Sequence, residues 1–190
     1  MTKAELRKLF TAKRGQLSAA DYEELNRELL IQFQKLDLTS VKCIHLYLPI
    51  YQRKEPDTFR IREWLATNQP QIQRVFPKAN FDDNSMQNYA DDEHLHLEIN
   101  AYGIPEPVSG TLVDATQVDL ALVPLLAFDK HGYRVGYGKG FYDRFMAQCR
   151  PGTRFVGLSF FEPVNRIDDV NEFDQKLGGC LTPQQHIMAL

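Results

Sequence analysis

The sequence is short of cysteine, tryptophan and long apolar runs, and each shortage excludes a class of protein. Its 190 residues include 3 cysteines and 1 tryptophan. Cys43, Cys149 and Cys180 are too few and too scattered for a disulfide framework, and the absence of a CxxC pair argues against structural zinc. No stretch approaches the roughly 18 apolar residues that a membrane-spanning helix needs. We therefore expect no membrane partner.

The chain also lacks an excess of positive charge. It has 22 Lys and Arg against 25 Asp and Glu, a formal net charge of −3 at pH 7. Because non-specific nucleic-acid binding depends on a basic surface, we expect no nucleic-acid partner. An anionic ligand would need a local basic pocket. The N-terminus lacks the apolar core of a signal peptide, so we expect a cytoplasmic protein.

What is present is the composition of one globular domain, which we place at residues 1–190. Hydrophobic residues make up 43% of the chain and charged residues 25%, so disorder is excluded as the main state. A chain of this length buries roughly 70% of its unfolded surface and needs no covalent staples.

Helix and strand patterns alternate along the chain. Thr2 with Glu5 is a capping-box pattern that predicts a helix ending near Gly15, and Ser18 opens a second helix. We predict a third helix, capped by Thr58 and ending near 68, and a fourth over 141–149. Strands are predicted at 41–48, 74–77, 95–99, 119–128 and 154–160, and at a short segment ending near 181–182. Residues 82–92 and 102–107 are predicted to be loops.

Most of the predicted strands are apolar on both faces, which is typical of strands covered on both sides by helices. The alternation of such strands with helices therefore predicts an α/β fold. We expect a three-layer sandwich with a mainly parallel central sheet and helices on both faces.

A glycine-rich turn follows the most apolar strand. Residues 131–144 read HGYRVGYGKGFYDR and contain 4 of the chain's 11 glycines. Glycines allow close approach of the backbone to a ligand, and the amides at the start of the next helix favour anions. Arg134 and Lys139 add positive charge, so the turn suits a phosphate. Its spacing matches neither a Walker A loop nor a Rossmann fingerprint, and a purely structural turn with a solvated lysine is the alternative.

The turn belongs to a longer pattern that resembles the 5-formyltetrahydrofolate cyclo-ligase family. The family's signature is matched by LVPLLAFD at 122–129, by Gly132, and by RVGYGKGFYDR at 134–144. Further family segments occur in the same order, namely Lys3 with Arg7, Arg14 with 17–18, 55–58, 103–107, 172–174 and 181–182. The resemblance covers essentially the whole chain.

The resemblance implies an enzyme that converts 5-formyltetrahydrofolate to 5,10-methenyltetrahydrofolate, with ATP as co-substrate and Mg²⁺ as cofactor. The formyl oxygen would be phosphorylated, N10 would attack the activated carbon, and ADP and phosphate would be released. It also implies an architecture related to sugar-phosphate isomerases and acyl-CoA transferases. We expect a monomer, with a dimer as the alternative.

The resemblance assigns roles to individual residues. Lys139 and Arg134 would act on the transferring phosphoryl group. ATP would be bound by Lys3, Arg7, Arg134, Val135, Gly136, Tyr137, Gly138, Lys139, Gly140, Phe141 and Tyr142. The folate would be bound by Leu48, Glu55, Tyr137, Gly138, Lys139, Gly140 and Phe141. Asp143 and Asp174 would hold Mg²⁺.

Several of these roles have a purely structural alternative. Asp143 could complement the helix dipole, Glu55 could be an exposed loop acid, and Lys3 with Arg7 could form a solvated basic face. The segment before Glu55 leaves open whether Leu48 or Ile50 lines the folate site.

The chain departs from the family pattern at two positions. Phe141 stands where many relatives have tyrosine, and Asn171 stands where proline is common. His94 and His96 alternate on one predicted strand face, which favours an exposed edge over a metal site because no third ligand is evident.

Two other functional classes remain open at this stage. One is a sugar-phosphate isomerase or acyl-CoA transferase, which would not need ATP. The other is a folate-binding or regulatory protein without catalysis. Tight binding of Mg·ATP distinguishes a ligase from the first class, and turnover of ATP distinguishes it from the second.

Overall fold

The computed structural model describes residues 1–100 and 103–188. Tyr102, at the start of the loop predicted over 102–107, lies outside the described residues. Within them the α-helices are α1 (Lys3–Gly15), α2 (Ala19–Gln34), α3 (Thr58–Asn68) and α4 (Phe141–Gln148), with 3₁₀ turns at Tyr51–Arg53 and Ala115–Gln117. No helix in this part of the chain is long and apolar enough to cross a membrane.

The first two helices begin as their sequences predict. Thr2 and Glu5 form a complete capping box at α1, and Ser18 and Asp21 form one at α2. The predicted cap of α3 is wrong by one residue. Asp57 is the capping residue and accepts from the amide of Phe59, whereas the hydroxyl of Thr58 is buried and donates to the carbonyl of Tyr47 at 2.5 Å.

A mixed sheet of eight strands forms the middle of the described structure, in the order β12-β11-β10-β7-β1-β2-β3-β6. Its strands are β1 (Cys43–His45), β2 (Gln73–Asn80), β3 (Ser85–Ala90), β6 (Leu112–Val113), β7 (Leu120–Pro124), β10 (Arg154–Leu158), β11 (Gly179–Leu181) and β12 (His186–Met188). The five inner strands from β11 to β2 pair in parallel, and the outer strands pair antiparallel. Two small ribbons pair β4 (His96–Ile99) with β5 (Pro105–Ser109) and β8 (Ala127–Phe128) with β9 (Arg134–Val135).

The core lies on both faces of this sheet, as the α/β sandwich predicted. In β7, Leu120 and Leu122 pack in the cluster that includes residues of α2 and α3. The alternate residues Ala121 and Val123 pack in the cluster that includes Phe145 of α4. Helices therefore cover both faces. Helix α1 packs separately, through Leu6 and Phe10, against the β8–β9 ribbon.

Several predicted strand boundaries are wrong. The strand predicted over 41–48 pairs only within β1. The strand predicted over 119–128 divides into β7 and β8, because Pro124 has no amide with which to continue the ladder. The loop predicted over 82–92 contains β3, in which buried Met86, Asn88 and Ala90 alternate with more exposed residues. Because Asn88 is polar, the alternation is not visible in the hydrophobicity of the sequence.

The other predicted loop, over 102–107, contains the start of β5. Its prolines are tolerated because they lie on an edge strand. Strands β6 and β12, of two and three residues, were not predicted at all.

Candidate functional site

The candidate site lies at the carboxyl edge of the parallel strands. Neighbouring strands β1 and β7 run in parallel, so the segments that leave them emerge on the same side. The segment after β1 carries Glu55, and the segment after β7 carries the glycine-rich turn. This topology explains how residues about eighty positions apart in sequence reach one site.

Three of the four glycines of the turn have a positive φ that other residues rarely adopt: Gly132 at +85° and the two that precede α4. Gly138 has φ of +90° and Gly140 has φ of +72°. A Cβ atom at Gly138 would lie 3.3 Å from the Arg7 guanidinium, and one at Gly140 would lie 2.8 Å from that of Arg144. Gly140 also caps α4 without a side-chain hydrogen bond. The start of α4 therefore offers backbone amides at a point crowded by cations, as an anion site requires.

Helix α1 brings two further cations to this turn. Arg7 donates from Nε to the carbonyl of Gly136 at 2.9 Å. One helical turn earlier, Lys3 donates from Nζ to both carboxylate oxygens of Asp174, at 2.6 and 2.5 Å. Lys3 and Arg7 thus have specific hydrogen-bond partners, so they do not form a solvated basic face.

The buried guanidinium of Arg134 pairs with the partly exposed Asp143 beside the turn. Arg134 is 9% exposed; its guanidinium donates to Asp143 Oδ1 at 2.9 Å and to the carbonyl of Gln175 at 2.7 Å. The amide of Gln175 donates to the same Asp143 oxygen at 3.1 Å. Burial lowers the pKa of Arg134, and the charges of Asp143 and Asp174 oppose that shift. Both carboxylates therefore lie close to one guanidinium.

The chemistry of this donor set fits Mg²⁺. Magnesium typically takes one or two carboxylates and completes its shell with water and phosphate oxygens. Asp143 and Asp174 supply two carboxylates, brought together because Gln175, next in sequence to Asp174, hydrogen-bonds Asp143. No cluster of three or more acidic, histidine or cysteine ligands occurs in the described ranges, so a cage built from protein alone is not the arrangement here.

The remaining residues of the turn take different positions. Lys139 is exposed, and its carbonyl accepts from Arg144. The side chain of Val135 is buried with Leu6, so only its backbone is available to a ligand. Phe141 is half-buried and packs edge-on against Phe81 from the β2–β3 turn, with ring centroids 5.3 Å apart.

Glu55 is the buried acid of the site and not an exposed loop acid, since it is only 2% exposed. The hydroxyl of Tyr137 donates to Oε1 at 2.5 Å, and the amide of Ile50 donates to Oε2 at 2.7 Å. Burial raises the pKa of Glu55, while these two hydrogen bonds and the charges of Arg14 and Arg53 work in the opposite direction. A buried carboxyl with two donors already in place is pre-organised to accept more.

The segment between β1 and Glu55 contains the two aliphatic candidates for the folate site. Leu48 is buried in the core cluster between the sheet and α2 and α3. Ile50 is half-buried, and its backbone is already bonded to Glu55. The structure thus places Ile50 in contact with the acid and Leu48 in the core.

Two buried residues of the site were given no role by the sequence, although Arg14 lies in one of the family segments. Arg14 donates to the hydroxyl of Tyr137 and to the carbonyl of Leu125. Its sequence signal was its place four residues after Phe10 and eight after Leu6, on the apolar side of α1. A charged residue on an apolar stripe is unusual unless it has a buried partner.

The second unpredicted residue is His45, which is fully buried in β1. Nδ1 lies 2.8 Å from Asn88 Oδ1, and Nε2 lies 3.1 Å from the hydroxyl of Tyr142 at the start of α4. Because the amide oxygen of Asn88 can only accept, Nδ1 carries the proton and Nε2 accepts from Tyr142. Burial lowers the pKa of His45 to about 4, so its ring is neutral at pH 7.

The site therefore has two chemically different halves. One half is cationic, with Arg7, Lys139 and the first amides of α4 around a glycine turn, which suits phosphates. The other half is a buried carboxyl, which suits a ligand with adjacent N–H donors. Tyr137 belongs to both, because its backbone is part of the turn and its hydroxyl bonds Glu55.

Comparison with known proteins agrees with this geometry. The sequence profile described as the 5-formyltetrahydrofolate cyclo-ligase family matches residues 1–177. The 5-formyltetrahydrofolate cyclo-ligase of Mycoplasma pneumoniae is 32% identical over 165 residues, covering 84% of this chain and 86% of that protein. The mouse enzyme of the same name is 28% identical over 195 residues, covering 90% and 93%.

Solved structures give the same result. The NMR structure of Aquifex aeolicus 5,10-methenyltetrahydrofolate synthetase superposes with a TM-score of 0.83 at 29% identity, covering 100% of this chain and 93% of that one. The structure of the Mycoplasma pneumoniae synthetase gives a TM-score of 0.72 at 26% identity, covering 93% and 96%. Sequence and fold together show that this chain belongs to the 5-formyltetrahydrofolate cyclo-ligase family, a family of ligases.

Proposed function

We propose that this protein uses Mg·ATP to cyclise 5-formyltetrahydrofolate to 5,10-methenyltetrahydrofolate, with release of ADP and phosphate. The observation that carries the proposal is the bond between Tyr137 and Glu55. It joins the glycine turn, where phosphates would bind, to the buried acid, where the folate ring would bind. The two substrates would therefore meet within the reach of one side chain.

In the first step, the formyl oxygen attacks the γ-phosphorus of ATP. An O–P bond forms, the bond from the γ-phosphorus to the β–γ bridging oxygen breaks, and ADP leaves with the electron pair. Phosphoryl transfer needs positioning and charge neutralisation more than covalent help from the protein. Lys139 and Arg134 are proposed to neutralise the transferring group, and Arg7 and the amides of α4 to orient the phosphates.

In the second step, N10 of the folate attacks the activated formyl carbon. The C–O bond to phosphate then breaks, N10 loses its proton, and the product ring is closed. Phosphate is a good leaving group, whereas an amide oxygen is not. Glu55 is proposed to hold the aminopyrimidine edge of the pterin, because a carboxylate can accept two hydrogen bonds from adjacent N–H groups.

Asp143 and Asp174 are proposed to hold Mg²⁺, which would neutralise phosphate charge when bound. Their present partners, Arg134 and Lys3, would then lie beside the metal and the phosphates. Leu48 stays the predicted aliphatic contact of the folate, with Ile50 as the alternative. One domain over 1–190, a cytoplasmic location and a monomer, with a dimer as the alternative, remain untested predictions.

The deciding experiment follows near-ultraviolet absorbance of the purified protein with 5-formyltetrahydrofolate, Mg²⁺ and ATP. A rise that requires ATP, with one ADP and one phosphate formed per product, supports the ligase. Omission of ATP and chelation of Mg²⁺ are the controls. Folded protein that binds the folate without turnover supports a binding protein, and protein that does not bind Mg·ATP supports an isomerase or acyl-CoA transferase.

A further inference from the structure

Arg14 is a charged side chain placed where an apolar one would be expected. It is 4% exposed and shares the buried side of α1 with Leu6 and Phe10. Removing a guanidinium from water is costly unless its donors are satisfied. Yet Nε of Arg14 has no hydrogen-bond partner, the one such case among buried side-chain nitrogens and oxygens of the described residues. Full satisfaction of its hydrogen-bond donors therefore does not explain how the Arg14 guanidinium is oriented.

The two terminal nitrogens of Arg14 explain that orientation. NH1 donates to the carbonyl of Leu125 at 3.3 Å, which ties the guanidinium to the chain just after β7. NH2 donates to the hydroxyl oxygen of Tyr137. The planar fork is thus set by two partners on different segments, and a lysine could not reproduce that arrangement because its ammonium is a single point charge.

The direction of every hydrogen bond in this chain of groups is fixed by chemistry. Arginine has donors and no acceptor, so the Tyr137 oxygen must accept from Arg14. Tyr137 has one proton, which it must therefore donate to Glu55 Oε1, 2.5 Å away. Glu55 Oε2 accepts from the amide of Ile50. With both oxygens held, the carboxylate keeps one orientation and has lone pairs left for a ligand.

We propose that Arg14 is a positioning residue for the folate half of the site, acting through Tyr137 to orient Glu55 toward the N–H donors of the pterin ring. The inference rests on the proposed function and extends it to a residue outside the glycine turn. Arg14 does not itself touch the substrate. Its charge also favours the ionised form of Glu55, which is the form that accepts hydrogen bonds from the ring.

The test combines substitutions at Arg14 and Tyr137 with separate measurements for each substrate. Arg14→Met fills the same space without charge, and Arg14→Lys keeps the charge without the fork. Both should weaken binding of 5-formyltetrahydrofolate, measured by calorimetry without ATP, by about tenfold or more for Met and less for Lys. The KM for ATP should change by less than about twofold, and kcat should change little.

The double variant separates positioning from a merely structural role. If Arg14 acts through Tyr137, Arg14→Met should weaken folate binding much less in a Tyr137→Phe background than in the parent protein. Equal effects in the two backgrounds would overturn the proposal, as would normal folate binding by folded Arg14→Met. A matched control is Arg62→Lys. Arg62 lies on α3 and its guanidinium pairs with Asp91, the residue after β3, so folate binding should be unchanged.

A measurement without substrate keeps the inference distinct from the proposed function. Glu55 is faced by Arg14, Arg53, Tyr137, Tyr142 and Tyr47. Carbon-13 NMR titration of the Glu55 carboxyl in the free protein should show a higher pKa in Arg14→Met than in the parent, with Arg14→Lys between them. An unchanged titration would overturn the coupling of Arg14 to Glu55. A parent protein that shows this coupling but no ATP-dependent turnover would contradict only the proposed function.

Discussion

At the scale of single residues, the site depends on polar groups that the interior would normally exclude. Arg14, Glu55, Arg134 and His45 are each no more than 9% exposed. Each has a specific partner: Tyr137 for the first two, Asp143 for Arg134, and Tyr142 for His45. Such groups are costly to bury and are retained where they fix geometry. These pairs therefore stabilise the conformation of the glycine-rich turn and the start of α4.

The sequence predicted only part of this arrangement. The glycine turn, Lys139 and Asp143 could be found from a motif, because their function depends on adjacent residues. Arg14 and His45 act through partners more than forty positions away, so their roles could not be predicted from a local pattern, although the charge of Arg14 on the apolar side of α1 is a local signal. Burial of Glu55 likewise depends on how β1 and β7 pair, which is a property of the fold.

Lys139→Ala should lower kcat by about a hundredfold or more, the usual effect of removing one transition-state cation or donor. The side chain is exposed, so its loss should leave the fold intact. Steady-state kinetics with both substrates saturating would test this, with circular dichroism as a check on folding. Lys130→Ala, an exposed lysine earlier in the same connection, is the matched control. Near-normal kcat in Lys139→Ala would remove this residue from the mechanism.

Glu55 should give the folate kcat/KM a dependence on pH. Burial raises its pKa above the ordinary glutamate value, and the ionised form is the one that accepts from the pterin. Activity should therefore fall as pH decreases through that raised pKa, at a higher pH than an ordinary glutamate would require. Glu55→Gln should lower kcat/KM roughly tenfold or more and abolish this acid limb. If the acid limb of the kcat/KM profile lies at the same pH in Glu55→Gln as in the parent, another group causes it. Glu93→Gln, at an exposed position, is the control.

At the scale of elements, the helices were easier to predict than the strands. The capping box of α1 and the start of α2 at Ser18 are local signals, and both are confirmed. Strand β3 was missed because one of its buried positions is Asn88, whose amide oxygen is satisfied by His45 on β1, two strands away. The sequence does not show which side chains pair across the sheet, so the segment was predicted to be a polar loop although it is a strand.

The docking of α1 onto the C-terminal segment links the two ends of the chain. The amide of Lys3 donates to Asp169 at 2.6 Å, and the N-terminal ammonium pairs with Asp168 at 2.5 Å. These contacts place the ammonium of Lys3 on Asp174, the proposed metal ligand. Lys3 and the metal would then compete for one carboxylate.

Lys3→Met should therefore have opposite effects on the two ligands. Binding of Mn²⁺, measured by electron paramagnetic resonance as a probe of the magnesium site, should tighten about three- to tenfold because Asp174 loses its competitor. The KM for ATP should rise because a cation near the phosphates is lost. Lys8→Met, an exposed position on the same helix, should change neither. Unchanged Mn²⁺ affinity would mean that Lys3 and the metal do not share Asp174.

At the scale of the whole molecule, β1 connects the site to the core. His45 in β1 contacts Asn88 of β3, and it contacts Tyr142 and Phe145 of α4, the latter with ring centroids 4.5 Å apart. Strand β1, strand β3 two places along the sheet and the helix that follows the glycine turn thus meet at one neutral ring. Protonation of that ring in the folded protein would place a charge inside this packing, which is unfavourable.

The unfolding free energy should consequently depend on pH through His45. Its pKa is about 4 in the folded protein, lowered by burial, against a usual value of 6.5. A histidine with a lowered folded pKa binds protons more strongly when unfolded, so stability should be lost as pH falls from about 6.5 toward 4, by about 3 kcal/mol in total. Urea unfolding at a series of pH values, followed by fluorescence of Trp64, the single tryptophan, would measure this loss.

His45→Gln isolates the contribution of this ring, because glutamine can donate to Asn88 and accept from Tyr142 but cannot take up a proton in this range. The variant should lose less stability between pH 6.5 and pH 4.5 than the parent, whatever its stability at pH 7. His94→Gln, at an exposed position, should behave like the parent. Equal pH dependence in parent and His45→Gln would show that protonation of His45 is not coupled to unfolding. Its ring would then reach solvent while the sheet and α4 stay packed, and β1 would not join the site to the core as tightly as its contacts imply.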